Sequence, residues 1–280
     1  MARAFLGSED LHKMTQIIKS TLIDRSIEEV FDFLFEPGNF ILMPGITEAR
    51  REQDTFFIKG EEKIPVIGLE SVSYKIHIDA KKKPTHVSFH TEDYIAATKG
   101  VFDLREKGEE TQLQYTLDYK LPLSFFGRLV DKLAMEKHMS GDVAEYLGNI
   151  QKALEKVETI MTRNVVTIQS PATASDVIKS MNDNNVRYLV VMAENKLLGV
   201  ITDGDVITKI YTEGVSQDAY IQDMMTTDVI TIEPHARIID AINLMSAHKV
   251  RRVPVVEGDM MVGLLSITDL DDYLGLFSKR

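Results

Sequence analysis

IMTRNVVTIQSPATASDVIKSMNDNNVRYLVVMAENKLLGVITDGDV (Ile160–Val206) and MMTTDVITIEPHARIIDAINLMSAHKVRRVPVVEGDMMVGLLSITDL (Met224–Leu270) align without a gap at an offset of 64 residues, and 14 of the 47 pairs are identical. A repeat of this period marks a supersecondary unit that buries its apolar face against a copy of itself. The landmarks recur in order. Met161-Thr162 matches Met225-Thr226, and the extended Val165–Ile168 matches Val229–Ile232. A helical stretch follows, anchored by Asp176, Ile178 and Met181 in one copy and by Asp240, Ile242 and Met245 in the other. Strands begin at Val186 and Val250 and again at Leu197 and Met261, before Asp205 and Asp269 open a last helix. VRYLVVM and VRRVPVV are near-continuous apolar runs, as in strands covered on both faces. The run Asn182–Asn185 ends the first helix, since Asn tolerates a left-handed backbone. Each unit thus reads strand–helix–strand–strand–helix. At roughly 60 residues it has too little interior to stand alone, so two should pack face to face.

These motifs, in this order, resemble the CBS domain family, and the pair resembles the tandem arrangement called a Bateman module. The resemblance covers 157–276, with units at 157–213 and 220–276. It implies an adenosine-containing ligand in clefts between the repeats, contacted through GVITDGD (Gly199–Asp205) and GLLSITD (Gly263–Asp269). That assigns ligand contacts to Thr202, Asp205, Ser266 and Asp269, and to Thr167 and Thr231 of the two Val-x-Thr-Ile segments. It assigns phosphate contacts to Arg187, Arg251 and Arg252; Tyr188 stands where a second base would be in the first repeat, so unequal affinities are expected. A carboxylate can accept both ribose hydroxyls, and a helix N-terminus offers N–H groups to phosphate. AMP, ADP or ATP suits these cations better than a neutral thioether, with S-adenosylmethionine still open. Thr202-x-x-Asp205 and Ser266-x-x-Asp269 also match the capping box, a purely structural device compatible with ligand contact. Asp203-x-Asp205 and Asp269-x-Asp271 lack the glycine and distal Glu of a calcium loop, so no metal is expected. The resemblance also implies a homodimer formed through the module, for which Tyr273, Leu274, Leu276 and Phe277 offer apolar surface.

Ahead of the repeat the period changes to two. Val72, Tyr74, Ile76 and Ile78 alternate with polar residues, as do Val87 and Phe89, then Leu113, Tyr115, Leu117 and Tyr119. This is the pattern of an antiparallel sheet with one wet face. His77, His86 and His90 fall on the outer side by parity and read as ordinary exposed histidines. Ser26 and Glu29 start a short helix ended by Pro37-Gly38, and a long helix follows Pro122. The order resembles the helix-grip fold of the START/polyketide cyclase superfamily (SRPBCC, Bet v 1-like) over 14–156, a curved antiparallel sheet around a long C-terminal helix. The fold class is therefore α+β, a helix-grip domain followed by a tandem CBS module. The resemblance implies an apolar cavity for a hydrophobic small molecule such as a lipid, a quinone or a polyketide-like compound. On the long helix Leu129, Leu133, Val143, Leu147, Ile150 and Leu154 share a face that Glu136 and Ser140 interrupt. Glu136, Ser140, Tyr74, Tyr115 and Tyr119 are the cavity-lining candidates; the first two either face the cavity or point to solvent, and the tyrosines are alternatively plain core.

The chain of 280 residues carries 43 acids against 32 bases, for a net charge of −11. Neither part has the basic balance of a general nucleic-acid binder. The absence of cysteine excludes disulfides, thiol nucleophiles and Cys-based metal sites. No apolar run is long enough to span a bilayer and MARAFLGSED lacks a signal-peptide core, so a cytoplasmic protein is expected. No Walker loop, HExxH or GxSxG is present, and no catalytic residue is assigned. The sequence reads as a non-enzymatic ligand-binding regulator; a cyclase or aromatase-like enzyme under CBS control and a ligand-free dimerisation scaffold stay open.

Overall fold

Alternation of apolar and polar residues builds seven strands in the first part of the chain: β1 (Thr15–Ile23), β2 (Ile46–Glu52), β3 (Thr55–Ile64), β4 (Gly68–Lys82), β5 (His86–Glu92), β6 (Ala97–Lys107) and β7 (Glu110–Lys120). The computed structural model describes residues 14–64, 68–92, 97–120, 132–194 and 196–275, in two units, Met1–Leu154 and Glu155–Arg280. In the first unit the strands form one antiparallel sheet of order β1-β7-β6-β5-β4-β3-β2. The long β1–β2 crossover holds helix α1 (Ile27–Phe33) and a 3-10 turn, Pro37–Leu42. Ser26 caps α1 reciprocally: the Glu29 N–H donates to its hydroxyl and the Ser26 N–H donates to the Glu29 carboxylate. One face of the sheet carries the core, with Phe56, Ile58, Tyr74, Ile76, Phe89, Phe102, Tyr115 and Leu117 all buried.

Helix α2 (Lys132–Ala153) packs on β1 and corrects one expectation. Glu136 is exposed, Ser140 is half-buried, and Leu133 is 71% exposed. The buried face runs instead through Met135, Val143, Tyr146, Leu147, Ile150 and Ala153. The reason is geometric: going back from Val143, both Met139 and Ser140 satisfy helical spacing. The apolar row takes Met139 and Met135, which turns Ser140 and Glu136 off the sheet. Desolvating an unpaired Glu would be costly, which favours this rotation. Leu129 lies outside the described residues.

The second unit has one five-stranded sheet of order β11-β12-β10-β9-β8. Its first repeat is β8 (Thr167–Gln169), α3 (Ala174–Asn184), β9 (Tyr188–Ala193), β10 (Lys196–Thr202) and α4 (Asp203–Ile207). Its second is α5 (Ile238–His248), β11 (Arg252–Glu257), β12 (Met260–Ser266) and α6 (Ile267–Leu274). Where the sequence implies a first strand in the second repeat, one parallel bridge remains, Ile232 to Val255. Leu189, Val190, Val191 and Met192 are all buried, as a strand covered on both sides requires. Asn185 ends α3 in the left-handed region (φ 51°), and Lys249 does the same for α5 (φ 54°).

Candidate functional site

The two repeats are stitched together by exchange. Thr162 and Leu264 donate N–H bonds to each other's carbonyls at 2.9 Å, and Val200 and Thr226 do the same at 3.0 and 2.9 Å. Each partner pair maps on the other at the 64-residue offset. The turns that lead into the repeats are exchanged too. The Val157 N–H donates to the Ala236 carbonyl and the Ile221 N–H to that of Ala172. Ile221 and Met224, from the start of the second repeat unit at 220–276, pack in the core of the first with Val177, Leu189 and Ile201. Burying a side chain such as Ile221 contributes about 1.5–3 kcal/mol, so the first repeat lacks a complete core without the lead-in of the second.

This exchange explains two landmarks that the sequence offers without a role. A Cβ at Gly199 would stand 2.7 Å from the Thr226 carbonyl oxygen and 2.9 Å from the Met225 Sδ. One at Gly263 would stand 2.6 Å from the Met161 Sδ and 3.1 Å from the Thr162 carbonyl oxygen. The glycine that begins each ligand motif admits the Met-Thr segment of the opposite repeat. The signal was present in the sequence as the co-occurrence of both motifs in both copies.

At the end of β10, Thr202 caps α4. Its N–H and hydroxyl donate to the Asp205 Oδ2 at 2.8 and 2.7 Å, and the Asp205 N–H donates to the Thr202 hydroxyl at 3.1 Å. Ser266 and Asp269 repeat the arrangement at α6 with 2.8, 2.6 and 3.2 Å. Both carboxylates are half-buried, and among the described residues no hydrogen bond reaches either Oδ1. One oxygen of each acid thus holds the helix start while the other stays outside the cap.

The bases around these acids are unequal. The Arg187 Nε lies 3.8 Å from Asp203 Oδ2, and the Arg187 carbonyl accepts the Asp203 N–H. In the second repeat Ile267 replaces Asp203; its N–H donates to the Arg251 carbonyl, and Arg251 and Arg252 are both exposed without an ion-pair partner among the described residues. The Arg252 guanidinium lies 5.5 Å from the centre of the Tyr188 ring, its equivalent in the other repeat. Burial raises the Tyr188 phenol pKa, with Arg252 opposing the shift. Thr167 is exposed on β8, opposite Val190 of β9, and Thr231 is exposed beside the Ile232 bridge. Of the apolar tail, Leu274 is buried and the Tyr273 hydroxyl donates to Glu155 at 2.8 Å, so both close their own unit. Leu276 and Phe277 lie outside the described residues.

In the first unit a hollow of about 80 Å³ lies between the sheet and α2. Tyr74 and Tyr115 line it; Tyr119 is buried nearby, and Glu136 and Ser140 are not in its wall. The helix side consists of Met139, Asp142, Val143 and Tyr146; Val143 lies on the face expected from sequence, and the other three were missed. The 135, 139, 143, 146, 150 spacing was the signal that could have found Met139 and Tyr146; nothing in it marks Asp142. A smaller hollow of about 20 Å³ shares Met43, Ile76, Phe89, Tyr115 and Tyr146 with it. On the outer face His77 meets Glu92 at 3.0 Å, His86 meets Asp103 at 2.7 Å and His90 meets Asp79 at 2.6 Å. The Glu92 pKa is lowered by hydrogen bonds from Lys75 and His77. Among the described residues no group of three or more His, Asp or Glu side chains could hold a metal ion, and no helix is long and apolar enough to cross a membrane.

Comparison with known proteins identifies two CBS domains in this chain, at 157–212 and 221–276. The chain is 27% identical over 117 residues to the CBS domain-containing protein YhcV of Bacillus subtilis, which covers 42% of this chain and 84% of YhcV. It is 35% identical over 104 residues to the mitochondrial CBS domain-containing protein CBSX3 of Arabidopsis thaliana, covering 35% of this chain and half of that one. Among solved structures, the CBS domain pair of protein MJ0100 in complex with 5′-methylthioadenosine and S-adenosyl-L-methionine matches with a TM-score of 0.40 and 24% identity, over 45% of this chain and 99% of that one. This chain therefore contains a tandem pair of CBS domains.

Proposed function

We propose that the C-terminal unit is a regulatory module holding an adenosine nucleotide between its repeats, and that the N-terminal unit is a helix-grip domain holding a small apolar molecule. One observation carries the nucleotide reading: both capping acids keep an oxygen outside the cap. A half-buried carboxylate in this state accepts ribose hydroxyls through a charge-assisted bond and keeps its helix start intact. Thr202, Ser266, Thr167 and Thr231 supply neutral contacts beside it. Arg251 and Arg252, which pair with no carboxylate among the described residues, are available to phosphate, which favours AMP, ADP or ATP over S-adenosylmethionine. Arg187 is shared with Asp203, so the mouth of the first repeat holds phosphate less tightly. For the N-terminal unit, support comes from the sheet order, α2 laid on β1, and the hollow between them.

Calorimetry of the full chain with AMP, ADP, ATP and S-adenosylmethionine tests the nucleotide reading. Saturable binding of a phosphorylated ligand, weakened by Arg251→Ala with Arg252→Ala, is expected. Heat from none of the four would leave a scaffold in place of a sensor. Ile207, the last residue of α4, and Tyr211, one turn further on, stand exposed, and we place a homodimer contact there. Light scattering should give twice the 31.6 kDa chain mass; a value at the chain mass would overturn the dimer.

A further inference from the structure

The larger hollow of the N-terminal unit has a composition that sorts its ligands more finely than apolarity alone. Phe89, Tyr115 and Tyr146 line it and join Phe102, from the wall of the smaller hollow, in a continuous aromatic group, with ring centres 4.5 Å apart for Phe102 and Tyr115 and 6.4 Å for Tyr115 and Tyr146. Asp142, one turn before Tyr146 on α2, brings a carboxylate to the helix side of the wall, 39% exposed and 3.4 Å from His138. Tyr115 and Tyr146 are protonated at neutral pH, as phenols ordinarily are, and burial raises their pKa values further. Thr91 and Thr98 also belong to the wall, their hydroxyls 2.7 Å apart and bonded to each other.

Size narrows the choice. Sites for drug-sized ligands run from about 300 to 1,000 Å³, and a cavity of about 150 Å³ accepts benzene. The hollow here is about 80 Å³ and its neighbour about 20 Å³. A long acyl chain, a quinone with its tail or a polyketide does not fit that space. One ring comes closest to it, and enters once flexible side chains such as Met43 and Met139 move aside to enlarge the space.

We propose that this hollow takes a single-ring aromatic compound bearing a cationic head group, with the ring against Phe89 and Tyr115 and the head directed at Asp142. This rests on the reading of the N-terminal unit as a ligand-binding domain. An aromatic ring gains from offset or edge contacts with the wall, and an ammonium group gains a charge-assisted bond at the rim.

Tyramine, its neutral counterpart p-cresol and palmitate, each titrated into the full chain, separate the possibilities. Tyramine should bind at least tenfold more tightly than p-cresol, and palmitate should not bind. Asp142→Asn should bring tyramine and p-cresol within about twofold, and Asp142→Lys should transfer the preference to the anionic 3-(4-hydroxyphenyl)propionate. Asp142 is 39% exposed, so both variants should fold. Palmitate binding that tyramine cannot displace would overturn the ligand class while leaving the cavity reading intact. An unchanged tyramine preference in Asp142→Asn would overturn the role of the carboxylate. No heat from any of the three would overturn the cavity reading itself, and this inference with it.

Discussion

Asp205 and Asp269 each do two things with two oxygens, and substitutions can separate them. Asn retains an acceptor for the cap but puts an amide where the outward oxygen stood. Asp269→Asn should therefore leave the melting temperature nearly unchanged and cost about 1.5–3 kcal/mol in nucleotide affinity, roughly 10- to 150-fold. Asp269→Ala should add a loss of about 1 kcal/mol in stability as the reciprocal cap opens. Equal affinity in the wild type and Asp269→Asn would restrict this acid to capping. The glycines give a second contrast. A methyl at Gly199 meets the Thr226 carbonyl at 2.7 Å, a backbone atom held in the inter-repeat ladder. At Gly263 the nearest atom is the Met161 Sδ, the movable end of a flexible side chain, and the carbonyl is at 3.1 Å. Gly199→Ala should cost about 1–3 kcal/mol in chemical denaturation and Gly263→Ala visibly less. The reverse order would contradict this account of the exchange.

At the level of elements, α2 is the test of which side faces the sheet. Met135→Ala should cost about 2–5 kcal/mol because a buried thioether is lost, whereas Leu133→Ala should stay within about 0.5 kcal/mol. Denaturation midpoints that ranked these two the other way would restore the face with Glu136 inward. This helix also shows where sequence runs out. Val143, Leu147 and Ile150 belong to the buried face whichever register is chosen, but residues 133–140 are compatible with two rows one residue apart. Only the sheet decides between them. The repeat was far more legible, because two copies constrain one another: a landmark at Gly199 or Asp205 is checked at Gly263 or Asp269. The capping boxes at Ser26, Thr202 and Ser266 were legible as well, being local chemistry at fixed spacing. The exchange of lead-in turns was not. Hydrogen bonds such as Val157 to Ala236 join residues far apart in the chain through backbone atoms, which leave no mark on side-chain pattern. The same holds for Arg252 over Tyr188, where the symmetry of the fold, rather than proximity in sequence, brings equivalent positions together.

For the whole molecule, only Leu154, Glu155 and Lys156 separate the end of α2 at Ala153 from the turn at Val157 that the second repeat holds. A connection so short, without glycine or proline, transmits strain better than a flexible tether does. Saturating nucleotide should therefore change tyramine affinity by roughly 5- to 150-fold, the range of coupling energies of about 1–3 kcal/mol. Identical affinities with and without nucleotide would show two independent devices on one chain. The central claim is narrower and more directly accessible: an acid beside each terminal helix grips the sugar of an adenosine nucleotide. Titrating the full chain with ATP and with 2′,3′-dideoxy-ATP isolates that grip, since base and phosphates are common to both. Loss of the two hydroxyls should weaken binding about 10- to 150-fold in the wild type and by no more than about twofold once Asp205 and Asp269 are both Asn. Equal affinity of the wild type for both nucleotides would contradict it.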